Sequence, residues 1–258
     1  SSETAVAHLG GTPIFIRGDE LQLGRGETIA DTAKIISGYC SALIIRTFAQ
    51  ADVEELGAHA SIPVINALTD DDHPTQLLAD WLTIRENFGK DIAGRKFVYL
   101  GDGNNMSHAW LMMGAIMGAH VVAATPSGKW APDAKVVEIA KIIASKSGGK
   151  VEVSHDPEAA SKDASVLYTD VWMSMGDSES ERDEKMLALS PFAVTENLFS
   201  LTNKDSIFMH CLPAHRGEEV EASVIDGPRS VIWREAYHRR TTIQSLLFHL
   251  TKGDLKGN

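Results

Sequence analysis

The residues best suited to chemistry in this chain are a cysteine, a histidine and a glutamine. Cys211 lies in MHCLPAHRGEEV (209–220), directly after the apolar run 207–209, and it is one of only two cysteines. A buried cysteine is usually an inert small hydrophobe. The stretch is therefore either the end of a core strand or a strand that delivers a thiol and unpaired backbone carbonyls to a cleft.

His73 and Gln76 belong to a second motif, HPTQ (73–76), which places an imidazole and a carboxamide at the start of a helix. Pro74 suits the first helical position, because its missing N–H would have no partner there. Residues three apart share a helix face, and helix N-termini favour anions and oxygen dipoles. The pair could therefore grip a carbonyl and an amide of a small substrate, with an ordinary helix cap as the alternative.

The segment GDGNN (101–105) follows an apolar run and opens a helical stretch, as a dinucleotide-binding loop would. It lacks the third glycine of the GxGxxG fingerprint, because Ser107 and its neighbours stand there. The next apolar run, VVAATP, offers no acidic residue for a ribose hydroxyl. These departures disfavour nicotinamide binding, and an asparagine that contacts the polar end of a substrate is the favoured interpretation.

Asp170 begins DVWMSMG (170–176), which leads into the charged run DSESERDEK (177–185). A charged run of this kind is commonly a solvated loop, and an aspartate in this position is commonly a helix or turn cap. Ser-Met-Gly after an apolar strand also suits a lid that closes over a cleft. Both interpretations stay open at this point.

Short apolar runs alternate with helical segments along the chain, which indicates parallel sheets covered by helices. The predicted strands are TPIFIR, SALIIRTF, IPVINAL, KFVYLGDG, VVAATP, KVEVSHD, ASVLYTDVW, SIFMHCLP and SVIW. A break near residues 87–90 separates a first lobe, 1–89 joined by the closing helix 238–258, from a second lobe, 90–237. The expected fold class is α/β, with two lobes that each contain a parallel sheet flanked by helices, the first lobe being incomplete in this chain.

Ligands of open α/β sheets bind beyond the carboxyl ends of the strands. By that rule, the candidate site residues are those that follow the predicted strands: Arg46, His73, Asn104, Asn105, Asp170, Cys211 and, beyond the last strand, Arg239. Cationic groups, an imidazole, amides, a carboxylate and a thiol would then come from different segments to one rim.

The charge balance argues against polyanionic partners. The chain has 24 Lys and Arg against 35 Asp and Glu, a formal net charge of −11, which would repel nucleic acid and anionic membrane surfaces. A local arginine cluster still permits a small anionic substrate.

Two cysteines far apart give neither a disulfide framework nor a zinc spacing, which fits a reducing compartment. No apolar stretch is long enough to span a bilayer, and SSETAVAHLGG lacks the pattern of a signal peptide.

Several segments occur in a characteristic order: HPTQLLAD, GDGNN, TDVWMSMG, HCLPAHRGEEV and an EAxxR segment near the C-terminus. In this combination the chain resembles the aspartate/ornithine carbamoyltransferase family, and SMG together with HCLP is similar to its ornithine branch. The resemblance extends from Ser1 to about the end of the last helix. It implies a transferase that moves the carbamoyl group of carbamoyl phosphate to the δ-amino group of L-ornithine, giving L-citrulline and phosphate, in arginine biosynthesis or the urea cycle.

The resemblance also implies roles around carbamoyl phosphate. Arg46 matches the arginine that reaches the carbamoyl group and the phosphate. His73 matches the group that polarises the carbamoyl oxygen, and Gln76 the group that holds the carbamoyl amide. Arg239 matches the arginine that stabilises the same carbonyl.

A second set of positions matches residues that hold ornithine. Four of them match residues that contact the α-amino and carboxylate groups of ornithine: Asn105, Asp170, Ser174 and Met175. Cys211 and Leu212 match the pair near the δ-amino group and the carbamoyl amide. A thiolate-capable Cys211, helped by Asp170, would orient the amine and lower its pKa, and no metal or organic cofactor is needed.

The chain departs from the family pattern in two places. A Ser-Thr-Arg-Thr-Arg phosphate motif would precede a segment like SSETAVAHLGG, and residues 1–258 alone are predicted to be inactive without it. Three interpretations follow: part of a longer enzyme, a clipped product, or a family member without catalysis. The segment EAYHR (235–239) also stands where the family usually has EAENR, so that Tyr237 and His238 replace an acid and an amide beside Arg239.

Other functions remain as alternatives. Within the family, the acceptor amine could be putrescine or an acetylated ornithine, although a diamine has no carboxylate for the SMG segment to grip. Outside it, the chain could be a non-catalytic binding partner.

Family analogy implies a homotrimer and a cytoplasmic location, or the mitochondrial matrix in an animal source, with no nucleic-acid or membrane partner.

Overall fold

The computed structural model describes residues 1–20, 26–90, 92, 94–173 and 179–252. The chain forms two compact units, Ser1–Ala79 with Tyr237–Asn258 (unit 1) and Asp80–Ala236 (unit 2). The chain passes from one unit to the other inside two of its helices, at 79/80 and at 236/237. The proposed division into functional lobes at 89/90 and 237/238 stays a prediction.

The described part of unit 1 is built around two parallel strands. Its elements are α1 (Ser2–His8), α2 (Ile29–Tyr39), β1 (Leu43–Arg46), α3 (Gln50–His59), β2 (Val64–Leu68) and the first turns of α4 (Pro74–Phe88). β1 and β2 pair in parallel, and the register shifts between Ile45 and Arg46 at the carboxyl end of β1. The core of unit 1 includes Ala5, Ile65, Ile243 and Leu247, so the C-terminal helix packs against the sheet of this unit.

Unit 2 contains, among its described residues, five parallel strands in the order β5-β4-β3-β6-β7. Its strands and the helices after them are β3 (Lys96–Leu100), α5 (Asn105–Ile116), β4 (His120–Ala124), α6 (Ala134–Ser147), β5 (Lys150–Ser154), α7 (Pro157–Ser161), β6 (Val166–Thr169), α8 (Arg182–Leu189), α9 (Glu196–Ser200), β7 (Ile207–His210), α10 (Ala222–Ile225) and the start of α11 (Ile232–Lys252). The strand order reverses between β3 and β6, which is where open α/β sheets bind ligands.

The core of unit 2 explains why its strands read as unbroken apolar runs. Residues Phe97–Leu100 and Val166–Tyr168 are fully buried, because helices cover both faces of a parallel sheet. Trp110 packs on Tyr168 with the ring centroids 4.8 Å apart. A Cβ at Gly103 would collide with the backbone of Ala131, so close packing of the chain explains the second glycine of GDGNN without a bound phosphate.

The α/β class with parallel sheets flanked by helices is therefore confirmed, but two predicted strands are wrong. TPIFIR (12–17) pairs with no described strand, and the side chains of Ile14 and Phe15 are 67% and 72% exposed. In SVIW (230–233), Ser230 makes a single bridge to Phe208 and helix α11 begins two residues later. An apolar run becomes a strand only where its backbone groups find a neighbouring ladder.

The charged run after Asp170 is partly helical rather than a solvated loop. Residues 179–181 form a 3-10 turn that leads into α8, and Lys185 is buried with its Nζ 2.7 Å from Asp102 Oδ2. Residues 174–178 lie outside the described part of the chain, so the lid stays a prediction. No helix in the described ranges is both long and apolar enough to cross a membrane.

Candidate active site

Unit 1 brings four of the predicted site residues together. Arg46 ends β1, His73 immediately precedes α4, Gln76 lies in the first turn of α4, and Arg239 projects from α11. We call these four residues the basic cluster. Because Arg46 and Arg239 both act electrostatically on His73, the cluster concentrates positive charge around one imidazole in a protein that is acidic overall.

The loop between β2 and α4 fixes His73 in this position. The Thr69 N–H donates to the Asp72 carbonyl over 2.9 Å, and the Thr69 hydroxyl donates to Gln50 Oε1 over 2.9 Å. At the helix start, the Thr75 hydroxyl donates to the Ala67 carbonyl over 3.1 Å. These bonds tie the first turn of α4 to the end of β2, so the HPTQ spacing is held rigidly.

His73 is held in its neutral form. His73 is almost enclosed, at 8% exposed. Burial, together with the positive charges of Arg239 and Arg46, lowers its pKa to about 3. Its Nδ1 has no hydrogen-bond partner among the described residues. A neutral imidazole flanked by guanidinium groups can interact with a carbonyl ligand without itself carrying charge.

Gln76 and Arg239 form a direct pair. Gln76 is 1% exposed, and its Oε1 accepts a hydrogen bond from Arg239 Nη1. The Arg239 Nε has no hydrogen-bond partner in the described part of the chain. An amide oxygen has two lone pairs, so Gln76 can hold the arginine and still accept a bond from a substrate amide.

Unit 2 gathers a different set of groups around Asp170, which follows β6 and is 7% exposed. The Cys211 Sγ–H donates to Asp170 Oδ1 over 2.8 Å, and the backbone N–H of Val171 donates to the same oxygen over 2.7 Å. Asn104 Nδ2 donates to Asp170 Oδ2 over 3.2 Å. We call Asp170, Cys211 and Asn104 the acidic cluster. It lies where the carboxyl ends of β3, β6 and β7 meet, as the strand order dictates.

Asn104 is oriented by the start of α5. Its Oδ1 accepts from the N–H groups of Met106 and Ser107, over 3.0 and 3.2 Å, and from the buried Tyr99 hydroxyl over 3.2 Å. These bonds occupy the oxygen of the carboxamide, so its nitrogen is the end that faces Asp170. Asn105, which the sequence favours as the substrate contact, is the first residue of α5.

Cys211 is a thiol in this environment, which corrects the expected thiolate. Burial raises its pKa well above the ordinary value, and the charge and hydrogen bond of Asp170 raise it further, together with Glu235 and Asp80. A negative neighbour disfavours a second negative charge. Asp170, rather than Cys211, is therefore the group that can attract an ammonium ion.

The HCLP turn is held by buried carboxylates. The His210 backbone N–H donates to Glu235 over 3.0 Å, and the His210 ring bonds Glu219 through Nε2 over 3.3 Å. Its Nδ1 accepts from the Leu212 N–H over 2.8 Å, which assigns the ring proton to Nε2. Leu212 has a φ of +58°, a conformation that non-glycine residues rarely adopt. The network therefore maintains a strained turn directly after Cys211.

The sequence identified most of these residues as candidates, but it did not reveal the residues that hydrogen-bond to them and hold them in position. Ser174 and Met175 lie outside the described residues, so their positions stay predictions. The contact of Asn104 with Asp170 was missed because two asparagines stand side by side and either could face the strand end. The buried pair His210–Glu219 gave no sequence signal, since nine residues separate two groups that meet only after folding.

Comparison with known proteins matches both parts of the chain to one family. Residues 1–86 match the carbamoyl-P binding domain of aspartate/ornithine carbamoyltransferase, and residues 93–250 match its Asp/Orn binding domain. The chain belongs to this family. The resemblance found in the motifs is thereby confirmed.

Relatives named ornithine carbamoyltransferase match nearly the whole chain. The protein from Pyrococcus horikoshii is 50% identical over 253 residues, which are 98% of this chain and 79% of the relative. The anabolic ornithine carbamoyltransferase of Pyrococcus furiosus is 49% identical over 256 residues, 99% of this chain and 80% of the relative. A solved ornithine carbamoyltransferase structure from Pyrococcus furiosus superposes with a TM-score of 0.92 at 48% identity, covering 98% of this chain and 80% of that structure.

Proposed function

We propose that the protein transfers the carbamoyl group of carbamoyl phosphate to the δ-amino group of L-ornithine, giving L-citrulline and phosphate. The observation that carries this proposal is the neutral His73 of the basic cluster, within the residues that match a carbamoyl-P binding domain. Carbamoyl phosphate combines a carbonyl with an anionic leaving group. A neutral donor flanked by arginines suits both parts of that substrate.

The basic cluster would act on the carbonyl and on the phosphate. When the amine attacks, negative charge builds on the carbamoyl oxygen, and preorganised donors stabilise that charge. We assign His73 and Arg239 to the oxygen, Gln76 to the carbamoyl amide, and Arg46 to the phosphate. As the new C–N bond forms, the C–O bond to phosphate breaks, and the phosphate leaves with its electron pair.

The acidic cluster would bind the ornithine. Its Asp170 carboxylate can pair with an ammonium group, and the Cys211 sulfur, Leu212 and Asn105 lie on the segments that flank it. Ser174 and Met175 are assigned to the amino-acid end of ornithine by family resemblance alone. The δ-ammonium must lose one proton before it attacks, and a second proton leaves the nitrogen as the product forms. The first proton passes to solvent before the attack, and the departing phosphate can accept the second.

An acceptor comparison tests this proposal. The full natural protein is assayed for phosphate release and product formation with carbamoyl phosphate and, in parallel, L-ornithine, putrescine or Nα-acetylornithine. We expect citrulline from ornithine with kcat/KM at least 100-fold above that for the other amines. Preference for another amine would reassign the substrate. Failure to turn over any amine, together with failure to bind a bisubstrate analogue that joins a phosphonate to ornithine, would indicate a non-catalytic family member.

We also propose a homotrimer in the cytoplasm, by family analogy. The basis is the family membership rather than any feature of the described residues. Sedimentation equilibrium of the purified protein should give three times the mass of one chain. A monomer or dimer at micromolar concentration would contradict the trimer.

A further inference from the structure

The turn that follows Cys211 carries ligating groups that carbamoyl transfer does not use. His215, Glu218 and Glu219 each offer one nitrogen or oxygen atom, and these three atoms lie within 4.8 Å of one another. Imidazole and carboxylate groups are the nitrogen and oxygen ligands that zinc takes in proteins. We call these three residues the His-Glu-Glu cluster.

The cluster is built on a well-defined turn. The Glu218 N–H donates to the His215 carbonyl over 3.0 Å, and Gly217 occupies the third position of that turn with a φ of +89°, as a type II turn requires. Arg216 closes the turn from outside with two hydrogen bonds to Asp226, of 2.8 and 2.7 Å. The backbone therefore holds the ligating residues in a fixed arrangement.

Glu219 supplies the second and independent observation. Its side chain is completely buried, and its Oε1 accepts from the His210 ring over 3.3 Å and from the His215 backbone N–H. Its Oε2 has no hydrogen-bond partner among the described residues, and His215 Nδ1 lies 3.8 Å from it. A buried carboxylate oxygen without a donor is costly, and a cation in the His-Glu-Glu cluster would satisfy it.

We propose that the His-Glu-Glu cluster binds one divalent transition-metal ion of the zinc class, with water in the remaining coordination position. Tetrahedral zinc with ligands at about 2.0–2.1 Å separates them from one another by roughly 3.3 Å. The present 3.8 Å between His215 Nδ1 and Glu219 Oε2 therefore needs only a small movement, which the 54% exposed His215 side chain permits. Glu218, one-third exposed and 3.5 Å from Arg182 Nη2, leaves the cluster open to solvent.

The ion would brace the turn after Cys211 without taking part in carbamoyl transfer. The Oε1 of Glu219 holds the His210 ring, and its Oε2 would hold the metal, so one buried carboxylate would tie both halves of the HCLPAHRGEE segment. The proposal does not depend on the proposed function, because it concerns binding of the metal alone.

Titration calorimetry with zinc chloride tests this site on untagged, chelator-treated full protein. We expect one zinc ion per chain, and His215→Gln and Glu218→Gln should each weaken the affinity at least tenfold. His120→Gln is the matched control, because His120 faces Glu152 at 3.3 Å and belongs to no such group of three among the described residues. That variant should bind zinc like the wild type, and thermal melting verifies that each variant is folded.

The thiols provide the competing explanation, since thiolates also bind zinc. Binding should survive in Cys211→Ala and in Cys40→Ser, and cobalt should give visible d–d bands without a thiolate charge-transfer band. The proposal is overturned by the absence of stoichiometric binding, by wild-type affinity in His215→Gln, or by loss of binding in Cys211→Ala.

Discussion

His73 in unit 1 and Cys211 in unit 2 are both largely enclosed titratable groups, yet their neighbours have opposite charge. Two arginines act electrostatically on His73, and burial with that positive charge brings its pKa to about 3. Carboxylates surround Cys211, and burial with that negative charge raises its pKa well above the ordinary value. Each charge environment suppresses ionisation of the group that would carry the same charge.

Both residues are therefore held in their neutral forms. Near pH 7 the imidazole of His73 and the thiol of Cys211 are uncharged, while the formal charges are carried by their neighbours. The basic cluster then suits a carbonyl attached to a phosphate, and the acidic cluster suits an ammonium group. The difference between the two units is thus a difference in which substrate charge each can accept.

Removing the His73 side chain should produce the largest effect. His73→Ala deletes a donor placed for the charge that develops on the carbamoyl oxygen, so kcat should fall by about 100- to 1,000-fold. Steady-state assays with saturating ornithine measure this. His59→Ala, at an exposed position in α3, serves as the control and should stay within about twofold of the wild type. A loss below tenfold in folded His73→Ala would remove His73 from the reaction.

The acid sensitivity of folding gives an effect of intermediate size. The folded-state pKa of His73 is lowered to about 3, so below pH 6.5 the unfolded chain binds a proton that the folded chain does not. Stability should therefore fall as the pH drops from 6.5 towards 3. Between pH 7.5 and 5 this costs about 2 kcal/mol, which His73→Gln should remove. Urea unfolding followed by circular dichroism at both pH values checks the difference, and equal pH dependence in both proteins would refute it.

The reactivity of Cys211 should give a smaller effect. Asp170→Asn removes the negative charge beside the thiol, so the pKa of Cys211 should fall towards its ordinary value. One unit of pKa corresponds to about tenfold more thiolate, and alkylation by iodoacetamide at pH 8 should accelerate by about that factor. The measurement uses a Cys40→Ser background and mass spectrometry. Asp205→Asn, at an exposed ion pair with Arg95, should leave the rate unchanged, and an unchanged rate in Asp170→Asn would contradict the assigned cause.

Strand-end reasoning predicted much of the site because the parallel sheet converts sequence order into geometry. Asp170 and Cys211 are 41 residues apart and were placed together because each follows an apolar run, and they form a hydrogen bond. The same reasoning failed for TPIFIR and SVIW, because an apolar run does not reveal whether a neighbouring strand is present. Local patterns therefore predict strands well where a parallel neighbour is present, as in the five-stranded sheet.

Protonation states were beyond sequence reasoning for a different reason. The pKa of Cys211 depends on burial and on Asp170, Glu235 and Asp80, which come from three separate segments. The family resemblance implied a thiolate-capable Cys211, whereas the folded environment favours the thiol. Whether the protonated or the deprotonated form of a titratable group is favoured depends on the combined effect of neighbours that are distant in sequence. A short motif does not include these neighbours.

The most direct test of this account is a pH titration of the His73 imidazole by NMR, using histidine labelled with ¹⁵N and His73→Gln to assign the signal. The account predicts that the ring of the free protein keeps the nitrogen shifts of a neutral imidazole from pH 8 down to about pH 4. A titration midpoint near 6.5 would contradict it, because His73 would then be a solvated histidine rather than a buried neutral imidazole under the influence of two arginines.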